Sequence, residues 1–97
     1  MSPDRNHILA RLREIKPTLF KQYPLHSMAL FGSVARNETA VGSDVDILVE
    51  VDPSIGLEFV TLGDQLESYL GCKVDLVSRR GLKKSLWKHI EPDLIYV

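Results

Sequence analysis

Cysteine is almost missing from this chain: Cys72 stands alone among 97 residues. An internal disulfide is therefore excluded, and no thiol pair offers metal-ligand spacing. Long apolar runs are missing too. Met28 to Phe31 is among the longest, far short of the roughly 20 residues that span a bilayer. The N-terminus carries no apolar signal-peptide core, so a cytoplasmic protein with no membrane partner is expected. A formal net charge of -1 gives no reason to expect direct nucleic-acid binding. Internal repeats are absent as well. Ninety-seven residues suit one core, and the expected organisation is a single domain over 1–97. His7, His26 and His89 are too scattered to suggest a metal site.

The most telling absence is local. No lysine or arginine occurs from Asn37 to Cys72, a stretch that holds Glu38, Asp44, Asp46, Glu50, Asp52, Glu58, Asp64 and Glu67. A cation is the natural complement. Arg79, Arg80, Lys83, Lys84 and Lys88 lie together with no acid among them. They read as a solvated helix face or as a patch that could meet phosphate or an acidic partner.

Periodicity supplies the elements. Ser2, Pro3 and Asp4 offer a helix start, and Ile8, Leu12, Ile15 and Leu19 share one helical face. Pro17 is expected to kink or restart that helix, and Tyr23-Pro24 to end it. Met28 to Phe31 predicts a buried strand, Val34 to Arg36 a helical turn, and Asn37 to Ser43 a loop. From Asp44 to Val51, Val45, Ile47, Val49 and Val51 alternate with Asp44, Asp46, Leu48 and Glu50, the clearest strand present. Phe59, Leu62, Leu66 and Tyr69 stripe a second helix that Gly71 can cap. Lys73 to Val77 predicts a third strand, and Leu82, Leu86 and Ile90 a third helix stopped by Pro92. Leu94 to Val97 predicts a last short strand. Trp87 and Tyr96 read as packing residues. Strands alternating with helices predict a two-layer α+β fold, a small mixed β-sheet with helices packed against it.

One residue apart on a strand, Asp44 and Asp46 send their side chains from the same face. Two anions so close repel unless a cation balances them or one takes a proton. All-oxygen ligation suits Mg2+, which completes its shell with water and substrate phosphates. Asp75 faces away from Val74 and Leu76 on another predicted strand; if the two strands are neighbours, three acids converge. Three acids can hold two magnesium ions for an in-line displacement at phosphorus. Gly32-Ser33 lies between a strand and a helical turn, where glycine permits close backbone approach and exposed N–H groups can hold a triphosphate. Arg36 could face a phosphate.

Taken separately, a D-x-D pair or a Gly-Ser pair is weak. The segments Ala29-Leu30-Phe31-Gly32-Ser33-Val34-Ala35-Arg36, Ser43-Asp44-Val45-Asp46-Ile47-Leu48-Val49 and Val74-Asp75-Leu76-Val77 together resemble the minimal nucleotidyltransferase family of the DNA polymerase β-like superfamily. The family pattern G-S-x10-D-x-D is met without departure. The resemblance implies a nucleotidyltransferase fold, metal ligation by Asp44 and Asp46, and a metal-ligand and base-assisting role for Asp75. It also implies nucleotide phosphate contact at Gly32 and Ser33. Proteins of this kind are often antitoxins paired with a HEPN-domain toxin, so the resemblance further implies transfer of AMP from ATP to a toxin tyrosine. Two other readings stay open: neutralisation of the partner by occlusion alone, and nucleotidyl transfer to a small molecule.

Overall fold

The computed structural model describes residues 3–38 and 42–97. The first helix, α1 (Arg5–Gln22), is capped by Asp4, whose side chain accepts from the His7 backbone N–H at 3.0 Å. Ser2, also expected at this start, lies outside the described residues. Ile8, Leu12, Ile15 and Leu19 are buried along one face. Of the two outcomes expected at Pro17, a restart does not occur, since α1 runs through it as one helix. Arg13 and Pro17 both sit on the exposed side, so the carbonyl that loses its donor can turn to water. Burial of Ile15 before the proline and Leu19 after it holds the two halves to one core.

Strand β1 (Leu25–Phe31) begins three residues earlier than its apolar run suggests. A register irregularity between Leu25 and Ser27 lets exposed His26 be passed over, and this masks the start. A single turn, α2 (Gly32–Ala35), follows directly. Of the expected loop, residues 39–41 lie outside the described residues. Strand β2 (Val45–Val51) buries Val45, Ile47, Val49 and Val51 as the alternation requires. Asp44 sits just before it. Helix α3 (Glu58–Leu70) ends at Gly71 in a left-handed conformation, φ 72°, whose N–H reaches Glu67 O at 2.9 Å. Strand β3 (Val74–Ser78), a short turn Arg79–Gly81, helix α4 (Lys84–Ile90), a turn Glu91–Asp93 and strand β4 (Ile95–Tyr96) complete the chain. Helix α4 and β4 are each shorter than their apolar spacing suggests.

The four strands form one mixed sheet in the order β3-β2-β1-β4. Strand β1 runs antiparallel to both β2 and β4, whereas β2 and β3 are parallel and joined through α3. The sheet is therefore α+β in the expected two-layer sense. On its first face Met28, Leu30, Val45, Ile47 and Val49 join α1 and α3 in one core. Fully buried Leu12, Leu19, Leu62 and Leu66 each contribute roughly 1.5–3 kcal/mol of burial to that layer. On the second face Ala29, Leu48 and Phe31 are also buried but outside that cluster. The turns Arg79–Gly81 and Glu91–Asp93 lie against β2 and β1 respectively. Tyr96, expected to pack, is 52% exposed, because β4 is a two-residue strand at the sheet edge. Among the described residues no helix is long and apolar enough to cross a membrane.

Candidate active site

Register brings the acids together. Asp46 pairs with Phe31 on one side and with Asp75 on the other. Adjacent strands lie about 4.8 Å apart, and paired residues share a face, so Asp46 and Asp75 both project from the second face at one end of the sheet. Asp44, two residues before Asp46, joins the same edge. Asp44 and Asp75 are exposed and Asp46 is half-buried.

Gly32 follows Phe31 with φ +77°, a conformation that L side chains rarely adopt. A Cβ built there would overlap the Asp46 carboxylate at Oδ2. Glycine at this position thus lets a carboxylate sit flush against the backbone that opens α2. Ser33 is half-buried, and its carbonyl accepts from the Glu38 N–H at 2.8 Å, which folds the chain back after the turn. Arg36, one turn beyond Gly32, donates Nη1 to Asp93 Oδ2 at 2.6 Å and Nε to Glu38 Oε2 at 3.1 Å.

The electrostatics follow from this crowding. Burial, reinforced by the nearby Asp75 and Asp44 charges and partly offset by Arg36, pushes the Asp46 carboxyl up to about 6. Cys72 is also raised, by burial first and then by Glu67 and Asp44. Cys72 lines a cleft of about 430 Å³ with Pro3, Gly42, Ser43, Asp44 and Lys73. It makes no disulfide.

A divalent cation fits this donor set. The carboxylates crowded on this open edge are only partly offset by Arg36, and a hard ion would complete the balance. Among the described residues no three histidine, cysteine or acidic side chains stand close enough to hold an ion by themselves. An ion held at this edge would need further oxygens from water or a substrate, as magnesium takes them. The structure therefore places Asp46 and Asp75 side by side, with Asp44 next to them, but forms no closed cage. Of the basic cluster, Arg79 stacks over the Trp87 ring at 3.7 Å. Arg79 lies four positions after Asp75, about 13 Å along the strand, so the start of the cluster is set back from the acids. Asp93 was not foreseen as a site residue; 57 positions separate it from Arg36, and no sequence spacing signals such a pair.

A pH dependence follows from Asp46. Its folded value, about 6, exceeds that of an unfolded aspartate near 3.9, so the folded state binds the extra proton. The associated stability is fully present below pH about 4 and is lost as pH rises through about 6. In metal-free buffer Asp46→Asn is expected to be more stable than the parent by about 1–2 kcal/mol at pH 7.5, after allowance for solvent screening. The gain should vanish near pH 4. Urea unfolding at both pH values checks this; an equal gain at both would assign the effect to packing.

A family model described as a nucleotidyltransferase domain matches residues 10–97. A relative from Methanocaldococcus jannaschii, named as a candidate protein adenylyltransferase, is 48% identical over 88 residues, covering 89% of this chain and 90% of its own. Protein adenylyltransferase MntA from Thermococcus cleftensis is 38% identical over 84 residues, covering 84% of each chain. Among solved structures, a candidate minimal nucleotidyltransferase superposes with TM-score 0.79 at 32% identity, over 96% of this chain and 95% of its own. A tri-AMPylated Shewanella oneidensis HEPN toxin in complex with its MNT antitoxin gives TM-score 0.69 at 25% identity, over 92% of this chain and 70% of that one.

Proposed function

Because this chain belongs to the nucleotidyltransferase domain family and is of the minimal kind, we propose that it is a magnesium-dependent protein adenylyltransferase. It would use ATP to modify a tyrosine of a HEPN-domain toxin and thereby act as an antitoxin. The observation that carries this reading is the seating of Asp46 between the Gly32 backbone and Asp75. Relatives named as protein adenylyltransferases support the acceptor class. The AMPylated HEPN toxin bound to a similar chain supports the partner.

Asp44 and Asp46 would hold magnesium, and Asp75 would share in that ligation at the open side. The metal, when bound, neutralises the phosphate oxygens and offsets the repulsion among the acids. Gly32 and Ser33 would seat the triphosphate. The tyrosine oxygen attacks the α-phosphorus, the bond from that phosphorus to the β-phosphate oxygen breaks, and pyrophosphate leaves. Asp75 accepts the phenolic proton. Exposure of Asp75 at the sheet edge suits this, since an acceptor on another protein has to approach from solvent. Arg80, Lys83, Lys84 and Lys88 are exposed and would speed encounter with an acidic partner without touching the chemistry.

The test mixes a HEPN toxin with this protein, ATP and Mg2+ and measures intact mass. One or more added AMP groups mapped to tyrosine, together with recovered growth, are expected. Neutralisation by the Asp44→Asn, Asp46→Asn double variant at equal abundance would show that occlusion suffices. Partner-independent AMP transfer to a small hydroxyl compound would move the acceptor to that class.

A further inference from the structure

Asp93 is held in the turn that precedes β4, and its side chain is only 18% exposed, against 43% for Arg36 and 65% for Glu38. The aspartate is thus the fixed member of the group. Two bonds from different nitrogens, Nη1 to Asp93 and Nε to Glu38, set the plane of the guanidinium, and the Nη2 edge takes part in neither. The Arg36 N–H bonds Gly32 O at 3.1 Å, which places the arginine one turn above the glycine against which Asp46 lies. The Arg36 charge is felt at Asp46.

Resting on the reading above, we propose that Asp93 is a positioning residue. It would fix the Arg36 guanidinium beside the Gly32–Asp46 edge, ready to meet the triphosphate of the incoming nucleotide. A planar fork held at two points loses little freedom when it engages a phosphate, whereas an untethered arginine has to be ordered first. The contribution of the pair to folding is small by comparison, since ion pairs reached by solvent stabilise little. Asp93 therefore acts on nucleotide affinity more than on the fold.

Equilibrium titration with magnesium and a non-hydrolysable ATP analogue reads this directly. Asp93→Asn is expected to weaken binding about tenfold, and Asp93→Glu to return to within about threefold of wild type. In an Arg36→Ala background the same Asp93→Asn change is expected to shift affinity by less than about twofold, because both changes remove one interaction. Arg36→Lys, which keeps the charge but not the fork, is expected to weaken binding about tenfold and serves if Asp93→Asn fails to fold. Wild-type affinity in Asp93→Asn or in Arg36→Lys would overturn the proposal, as would an undiminished Asp93 effect without Arg36. Wild-type protein that binds the analogue but transfers no AMP to a toxin would sink the functional reading instead, while the binding series still decides the role of Asp93. Absence of analogue binding by the wild type would remove both.

Discussion

Asp46→Asn is expected to lower adenylyl transfer by about 10³-fold or more while leaving a folded protein. Asparagine keeps the shape of the side chain but removes the anion that lies between Gly32 and Asp75. The remaining acids, Asp44 and Asp75, are both exposed, so neither takes the half-buried place of Asp46. Folding should not suffer, since the lost charge is the one that burial and two neighbouring carboxylates disfavour. Activity and stability are thus expected to move in opposite directions. Initial-rate assays with labelled ATP, set beside urea unfolding of the same preparations, measure both. Transfer within tenfold of wild type would remove Asp46 from the centre of the site.

Gly32→Ala is expected to abolish tight nucleotide binding, lowering affinity for magnesium-ATP by at least about 30-fold. Two costs fall on the same atom. Alanine at φ +77° costs on the order of 1–3 kcal/mol of backbone strain. Its Cβ then meets Asp46 Oδ2, so the carboxylate has to leave the position from which it would serve a metal. Gly71→Ala provides the comparison, because Gly71 also has positive φ, +72°, but nothing lies within 4 Å of its Cβ position. Both variants should lose stability, and only Gly32→Ala should lose nucleotide. Calorimetric titration of the two proteins decides the matter: equal affinities would show that Gly32 matters for backbone conformation alone.

Much of this site is legible in sequence because strand geometry converts spacing into direction. Alternation over Val45 to Val51 places Asp46 opposite the core, and the structure keeps that assignment. Asp75 between Val74 and Leu76 reads the same way, but its pairing with Asp46 depends on β2 and β3 being neighbours, which only the fold supplies. Gly32 was expected to serve close approach of phosphate; the structure adds that an aspartate fills the space where its side chain would be. The Arg36–Asp93 contact had no sequence signal because it joins residues 57 positions apart. Of the kink or restart expected at Pro17, the restart does not occur, because buried residues on both sides tie the helix to one core and its exposed face lets the freed carbonyl meet water.

The position of β3 has a consequence for solubility. It is the outermost strand on its side of the sheet, and a parallel edge leaves backbone donors and acceptors that another chain could pair with. Asp75 projects from near the start of this short edge, with exposed Lys73 just before the strand. Charges so placed repel strand-to-strand stacking and discourage aggregation. A carboxylate suited to chemistry therefore also guards an open edge, and replacing it with an apolar residue would remove the acid and one of the edge's charges together from this five-residue strand.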